Sequence, residues 1–293
     1  DQTQYNNALA ALAELGIKTV DQVDATNGYV SSAESRTIWV QVTQESFSTL
    51  FGPQAQLVAA TADGSGGWSW TGNLSLPTSL ASNGVSGLWF DTNRFGGMVA
   101  NPATTTGIGL NEGWQSPGNG APTPSQGYPQ QIGQTTYKMP LGSSVPTGTI
   151  GLIEPGIGTA LAGDDAGVGF QATLDQYRTT AGVPTGAAVT TVAGGGQAFI
   201  SGAGGERALD VGIAATVTPN SKLAIYAGSG TAAGAGSNPY TAWQSALWDT
   251  VNAPQVVTSS FGFAEFMAPN SPFRNAADQL FTDAALRNIT AIN

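Results

Sequence analysis

Apolar positions recur along this chain in two rhythms, and the changes of rhythm divide it into three stretches. From 8 to 15 the apolar residues keep helical spacing and stop at Gly16, which predicts a helix ended by a glycine. Residues 37–42 (Thr-Ile-Trp-Val-Gln-Val) read as a strand. Thr43 then stands at the N-cap of a short helix from 44 to 51, with Glu45 in the first turn, where a carboxylate suits the positive end of the helix dipole. Ser46 occupies the place a capping box reserves for Glu or Gln, so that box is expected to be incomplete. Residues 56–60 and 68–71 read as strands, Pro77 opens a short helix, and 87–90 closes a first stretch, 1–100, that reads as a small α+β unit. Trp68, Trp70, Trp89 and Phe90 could be taken for a sugar-stacking face, but strand spacing makes core aromatics the better reading.

From 101 to 146 the rhythm disappears. Pro, Gly, Thr, Ser and Gln cluster there, which predicts a linker, either exposed or draped over another surface. From 147 to 293 strand and helix patterns alternate. Strands are expected at 149–153, 222–226, 255–259 and 289–292, and helices at 205–217, 240–251 and 273–287, with Asp164 or Asp165 capping a further helix that runs to Tyr177. Such alternation implies an α/β fold with a parallel sheet and helices on both faces. The sequence stops at or just after a strand, so the last strand is expected to leave an edge for a partner to cover.

Charge narrows the function. Only 10% of residues are charged and the net charge is −10, which argues against nucleic acid and against an anionic membrane surface. No run of 18 apolar residues is present, so no membrane span is expected, and the first residues do not read as a signal peptide. The chain has no Cys and no His. Disulfides, thiol chemistry and imidazole catalysis are therefore excluded, and the donor set left for a metal does not suit zinc. The scarcity of charge is consistent with tolerance of acid, and equally with a Gly/Ala/Thr-rich extracellular protein that has no such habit.

One cluster stands out against this background. Glu206 and Asp210 lie four residues apart inside an apolar helical pattern, in Gly-Glu-Arg-Ala-Leu-Asp-Val at 205–211. On a helix such positions share a face, about 6 Å apart along the axis. Many such pairs are solvated surface charges. Two acids held together also resist double ionisation and can share a proton, which suits general acid/base chemistry without imidazole.

With these residues in view, the chain resembles the sedolisin family, the serine-carboxyl peptidases. The helix at 205–211 resembles that family's Glu-x-x-x-Asp helix. Residues 218–226 resemble its next strand entry, and 254–265 (Pro-Gln-Val-Val-Thr-Ser-Ser-Phe-Gly-Phe-Ala-Glu) resemble its segment around Ser-Trp-Gly. Residues 276–293 resemble the helix and strand that lead to a Ser-Gly-Asp motif, while 72–91 resemble the close of the family prodomain. The resemblance implies a ferredoxin-like α+β prodomain remnant at 1–100, a linker at 101–146, and the N-terminal half of a subtilisin-like peptidase domain at 147–293.

The same resemblance implies residue roles. Glu206 would be the general base for a serine nucleophile and Asp210 its orienting partner, while Ser260, Phe261 and Gly262 would form a substrate-binding edge; Phe261 stands where the family usually has Trp. The family's nucleophile, oxyanion Asp and calcium site have no matching positions here. They are expected on a second chain, the C-terminal fragment of the same precursor, with a peptide or protein as substrate. The Gly-Ser-Gly-Thr at 228–231 follows the wrong strand to be the nucleophile motif. A secreted, acid-acting protein is implied, with the first unit packed on the peptidase part and blocking its cleft until acid loosens it. The alternative is an inactive scaffold of this ancestry serving in an extracellular assembly. Asn73 and Asn288 head glycosylation sequons, triplets that also occur by chance.

Overall fold

In a computed structural model, the structure describes residues 1–20, 29–59, 68–72, 74–90, 129–139, 147–154, 170–183, 189–192, 204–226, 228, 239–261 and 271–293. The first unit begins with helix α1 (Gln2–Glu14), which starts earlier than the apolar spacing predicts. The cause is Asp1, whose carboxylate accepts the Gln4 N–H at 2.9 Å in a capping box and so extends the helix by a turn and a half of polar residues. Gly16, at φ +70°, reverses the chain into β1 (Lys18–Thr19), which pairs antiparallel with β2 (Val40–Gln41). Helix α2 (Gln44–Phe51) follows directly. Its capping box is complete, contrary to expectation: the Thr43 N–H donates to Ser46 Oγ at 2.7 Å, and the Ser46 N–H to Thr43 Oγ1 at 3.2 Å. A serine hydroxyl is thus enough to replace the longer carboxylate. The strands β3 (Gln56–Ala59) and β4 (Trp68–Thr71) form a second antiparallel pair, and α3 (Thr78–Ala81) follows Pro77. Among the described residues, this unit therefore holds two separate two-stranded sheets around one core of Leu12, Phe47, Leu50, Phe51 and Leu80.

Within the stretch read as a linker, 129–135 forms α4 (Pro129–Thr135), which packs against α6 described below. The second unit is an α/β assembly. Its strands are β5 (Ile150–Ile153), β6 (Val189–Val192), β7 (Leu223–Tyr226), β8 (Val256–Ser259) and β9 (Thr290–Ile292). They form one parallel sheet in the order β6-β7-β5-β8-β9, flanked by α5 (Phe170–Thr180), α6 (Gly204–Val217), α7 (Pro239–Trp248) and α8 (Pro272–Leu286). Asp164 and Asp165, the expected caps before α5, lie outside the described residues.

Strand periodicity sorts the two faces. Ile150, Leu152, Leu223 and Ile225 pack with Leu174 of α5 and Val211 and Ala215 of α6. The intervening Ile153, Ala224, Tyr226 and Val257 pack with Trp243 and Leu247 of α7 and Leu280 of α8. Both sides of the sheet are thus apolar, which is why the strands read as continuous hydrophobic runs. Gly151 has a specific reason to lack a side chain: a Cβ there would meet Tyr226 Cε2 at 3.2 Å and Val257 Cγ2 at 3.1 Å.

The Tyr226 hydroxyl donates to Asp249 Oδ2 at 2.9 Å, tying β7 to the turn after α7. Asp249 also accepts the Val251 N–H at 2.8 Å, the Asn252 N–H at 3.0 Å and Asn252 Nδ2 at 2.5 Å. Burial pushes its carboxyl up, but the bonds from Asn252, Tyr226 and Val251 outweigh it, and the net effect is a lowered pKa. A lowered folded-state pKa stabilises the protein above the unfolded pKa, and that contribution is lost as pH falls through the folded value. Asp249→Asn should therefore cost about 1 kcal/mol at neutral pH, after allowance for solvent screening. The difference between variant and parent should shrink as pH falls below the ordinary carboxylate range and through the lowered folded-state value, as denaturant unfolding at several pH values would show. A pH-independent difference would refute the charge-based account.

The first unit docks on α7 and α8, the face of the sheet opposite α6. Trp89 stacks on Tyr240 at 4.9 Å and 15°, and Trp70 on Phe273 at 5.7 Å and 22°. Gln244 of α7 is the polar hub. Its Oε1 accepts Trp39 Nε1 at 2.7 Å and the Val30 N–H at 3.3 Å, and its Nε2 donates to the Val30 carbonyl at 3.0 Å. Arg36 pairs with the buried Asp283 of α8. Tyr240 is pushed up to about 12, chiefly by burial and then by the Asp283 charge, against a hydrogen bond with Thr37 that lowers it. Trp70, Trp89 and Phe90 are therefore seam residues, filling the joint between the two units.

Candidate functional site

The strand order gives the site its place. The chain leaves β5 toward β6 on one side of the sheet and leaves β8 toward β9 on the other, so connections diverge between the adjacent C-terminal ends of β5 and β8. In open α/β sheets such a divergence opens the crevice where ligands bind. Glu154 follows β5 there and Ser260 follows β8, each one residue beyond the paired Ile153 and Ser259.

Helix α6 reaches the same end from the other face. It runs between β6 and β7, so its N-terminal half lies toward the C-terminal ends of the strands. Asp210 lies in that half, half-buried, and the Ser260 hydroxyl donates to its Oδ2 at 2.6 Å. This bond joins residues 50 positions apart and is charge-assisted when the carboxylate is ionised. The exit from β8 is held by its own turn: the Phe261 N–H donates to Ser259 Oγ at 3.0 Å, and that hydroxyl donates to the Phe261 carbonyl at 2.9 Å. Ser259 thus holds the chain direction while Ser260 meets the acid.

Of the residues singled out by sequence, Asp210 and Ser260 are brought into contact and Phe261 lies beside them. Glu206 lies on α6 one turn before Asp210, but its side chain falls outside the described residues, as does Gly262. The flank of α6 next to Asp210 is apolar and open, with Leu209 54% and Ile213 39% exposed. Among the described residues, no group of three or more His, Cys, Asp or Glu could hold a metal ion, and no helix is long and apolar enough to cross a membrane.

Glu154 escaped the sequence reading. It is fully buried, and its N–H donates to the Tyr226 carbonyl at 2.9 Å, prolonging the β5–β7 ladder by one residue. A signal was available: a carboxylate directly after a four-residue apolar strand that pairs on both sides. Buried acids are rare in globular proteins, and in this fold the end of a central strand is where they matter. Neither a protein-family model nor a curated protein matches the chain.

Proposed function

We propose that this chain is part of an acid-acting serine-carboxyl endopeptidase of the sedolisin kind, secreted, with a subtilisin-like α/β unit preceded by a ferredoxin-like prodomain remnant. The observation that carries the reading is the 2.6 Å bond from Ser260 to Asp210 at the strand divergence. It joins two segments, 205–211 and 254–265, that the resemblance to one family assigns to one site.

In this reading Glu206 takes the proton from a serine nucleophile and Asp210 orients Glu206, the triad logic with a carboxylate in the place of imidazole. Asp210 has a second duty, holding the Ser260 hydroxyl and with it the strand-like 260–262 edge along which a substrate backbone would pair. Leu209 and Ile213 offer an apolar flank for a substrate side chain. The nucleophile and the oxyanion Asp come from a second chain of the same precursor, together with any calcium. The outer strand β9 has no further neighbour among the described residues, and that edge is a natural place for the second chain to join. The first unit, docked on α7 and α8, is a retained prosegment.

The test starts with the native protein. Intact-mass measurement should find a second chain, and the assembly should cleave an unfolded protein substrate in mild acid. Ser260→Ala should weaken substrate binding and leave measurable turnover. Complete loss of turnover in that variant would instead make Ser260 the nucleophile. A lone chain without peptidase activity would end the proposal and leave the scaffold reading.

A further inference from the structure

A cavity of about 650 Å³ lies in the first unit, roofed by α1, α2 and α3 and floored by α7 and α8. Its lining has an unusual pattern. Every residue from Arg36 to Val42 and every residue from Asn83 to Phe90 faces it. A strand that turns a face to a cavity lines it with alternate residues, because side chains have a period of two. Lining by consecutive residues means that the backbone of both segments, and not one side-chain face alone, borders the space.

On the β2 side, hydrogen-bond alternation shows an edge turned to the space. Val20 N–H donates to the Trp39 carbonyl at 2.9 Å, so Val20 and Trp39 are a hydrogen-bonded pair and the neighbouring Thr19–Val40 pair is not. The N–H and C=O of Val40 therefore turn away from β1, as do those of Ile38 and Val42 by alternation. On the opposite wall, Leu88 N–H donates to the Pro272 carbonyl at 3.0 Å and the Ser86 carbonyl accepts Asn275 Nδ2 at 2.8 Å. Those two groups are directed at α8, and Gly87 between them lies against the same helix, where a Cβ would meet Ala276 N at 2.8 Å, so this wall is a stretch of backbone packed on α8. No strand pairs with the outward edge of β2 among the described residues.

The side chains of the 38–42 segment also have two destinations. Ile38, Val40 and Val42 join the core of α1 and α2, while Trp39 joins the aromatic core of α7. The segment is packed on both faces around Trp39, while Gln41 is exposed, and its outward edge meets a cavity within the volume range of small-ligand sites.

We propose that this cavity is a strand-shaped binding site that takes an extended, uncharged peptide segment from another polypeptide, inserted between residues 38–42 and 85–89 by β-augmentation. The walls specify the ligand. One face of the inserted strand meets Leu12, Leu50 and Leu80, and the other meets Tyr240, Asn275 and Gln279. The segment should therefore alternate apolar with small polar residues. Charged residues are disfavoured, since Asp1 and Arg36 are the charged groups of the lining and Arg36 is paired with Asp283. This inference does not depend on the peptidase reading.

The test is a titration of the whole chain with an acetylated, amidated hexapeptide of alternating valine and threonine, followed by calorimetry and by the fluorescence of Trp39 and Trp89. Saturable binding is expected. The same peptide methylated on alternate amide nitrogens, which keeps its apolar surface but loses the donors along one edge, should bind at least about tenfold more weakly, the equivalent of one lost hydrogen bond. Val40→Pro, which removes one edge donor where proline is tolerated, should weaken the parent peptide similarly. Should that variant misfold, the methylated peptide still tests the unmodified protein. Absence of saturable binding up to millimolar peptide, or equal binding of parent and methylated peptides, would overturn the proposal.

Discussion

On the proposed peptidase reading, Glu206→Gln is expected to lower kcat by about 10²–10⁴-fold, the range supplied by a positioned general base. Glutamine keeps the size and most of the hydrogen bonding of the side chain but cannot take a proton at any accessible pH. Position 206 lies on an already formed helix, one turn from Asp210, so the backbone has no reason to move. The loss should fall on kcat, with KM changed little, because a base acts on the reacting proton and contributes little to ground-state binding. Steady-state kinetics on a peptide substrate, with circular dichroism to confirm the fold, would measure it. An unchanged kcat would remove Glu206 from the chemistry and with it the reason for the acidic helix.

The second large effect concerns the joint between the units. Gln244→Leu is expected to destabilise the chain by about 3–5 kcal/mol, since one substitution strands three polar groups. Trp39 Nε1 loses its 2.7 Å acceptor, the Val30 N–H loses its acceptor at 3.3 Å, and the Val30 carbonyl loses its donor at 3.0 Å. Leucine fills much of the same volume, so the cost comes from unsatisfied polar atoms rather than from a cavity. The aromatic stack of Trp89 on Tyr240 would remain but could not hold the 29–39 segment by itself. Denaturant unfolding measures the loss, and limited proteolysis should show the first unit released earlier. A cost below about 1 kcal/mol would mean that packing alone holds the joint.

Much of the architecture was legible in the residues. The second unit's strands at 150–153, 223–226, 256–259 and 290–292 fall within the runs read as strands, because an apolar segment that must face two helical layers admits few alternatives. Strand β6 went unread. Val-Thr-Thr-Val is short, is half polar and sits among glycines, and what makes it a strand is the neighbouring β7 with which it pairs. Strand β1 escaped for the same reason, being two residues fixed by pairing with β2. Helix α4 was hidden by its composition, Pro-Gln-Gln-Ile-Gly-Gln-Thr, whose helical state is supported by α6. The start of α1 and the completed box of α2 turned on single side-chain bonds, from Asp1 and from Ser46, that no periodicity reports.

The absence of imidazole and thiol, the low charge, the acidic helix and the α/β class follow from the chain alone, since they depend on residue identity and on contacts local along it. That Asp210 holds Ser260, that Glu154 is buried beside the same divergence, and that the outward edge of β2 meets a cavity follow from none of these. Each depends on which strand lies next to which, and in a parallel sheet that order is set by crossovers tens of residues long, whose outcome only packing of the whole molecule selects.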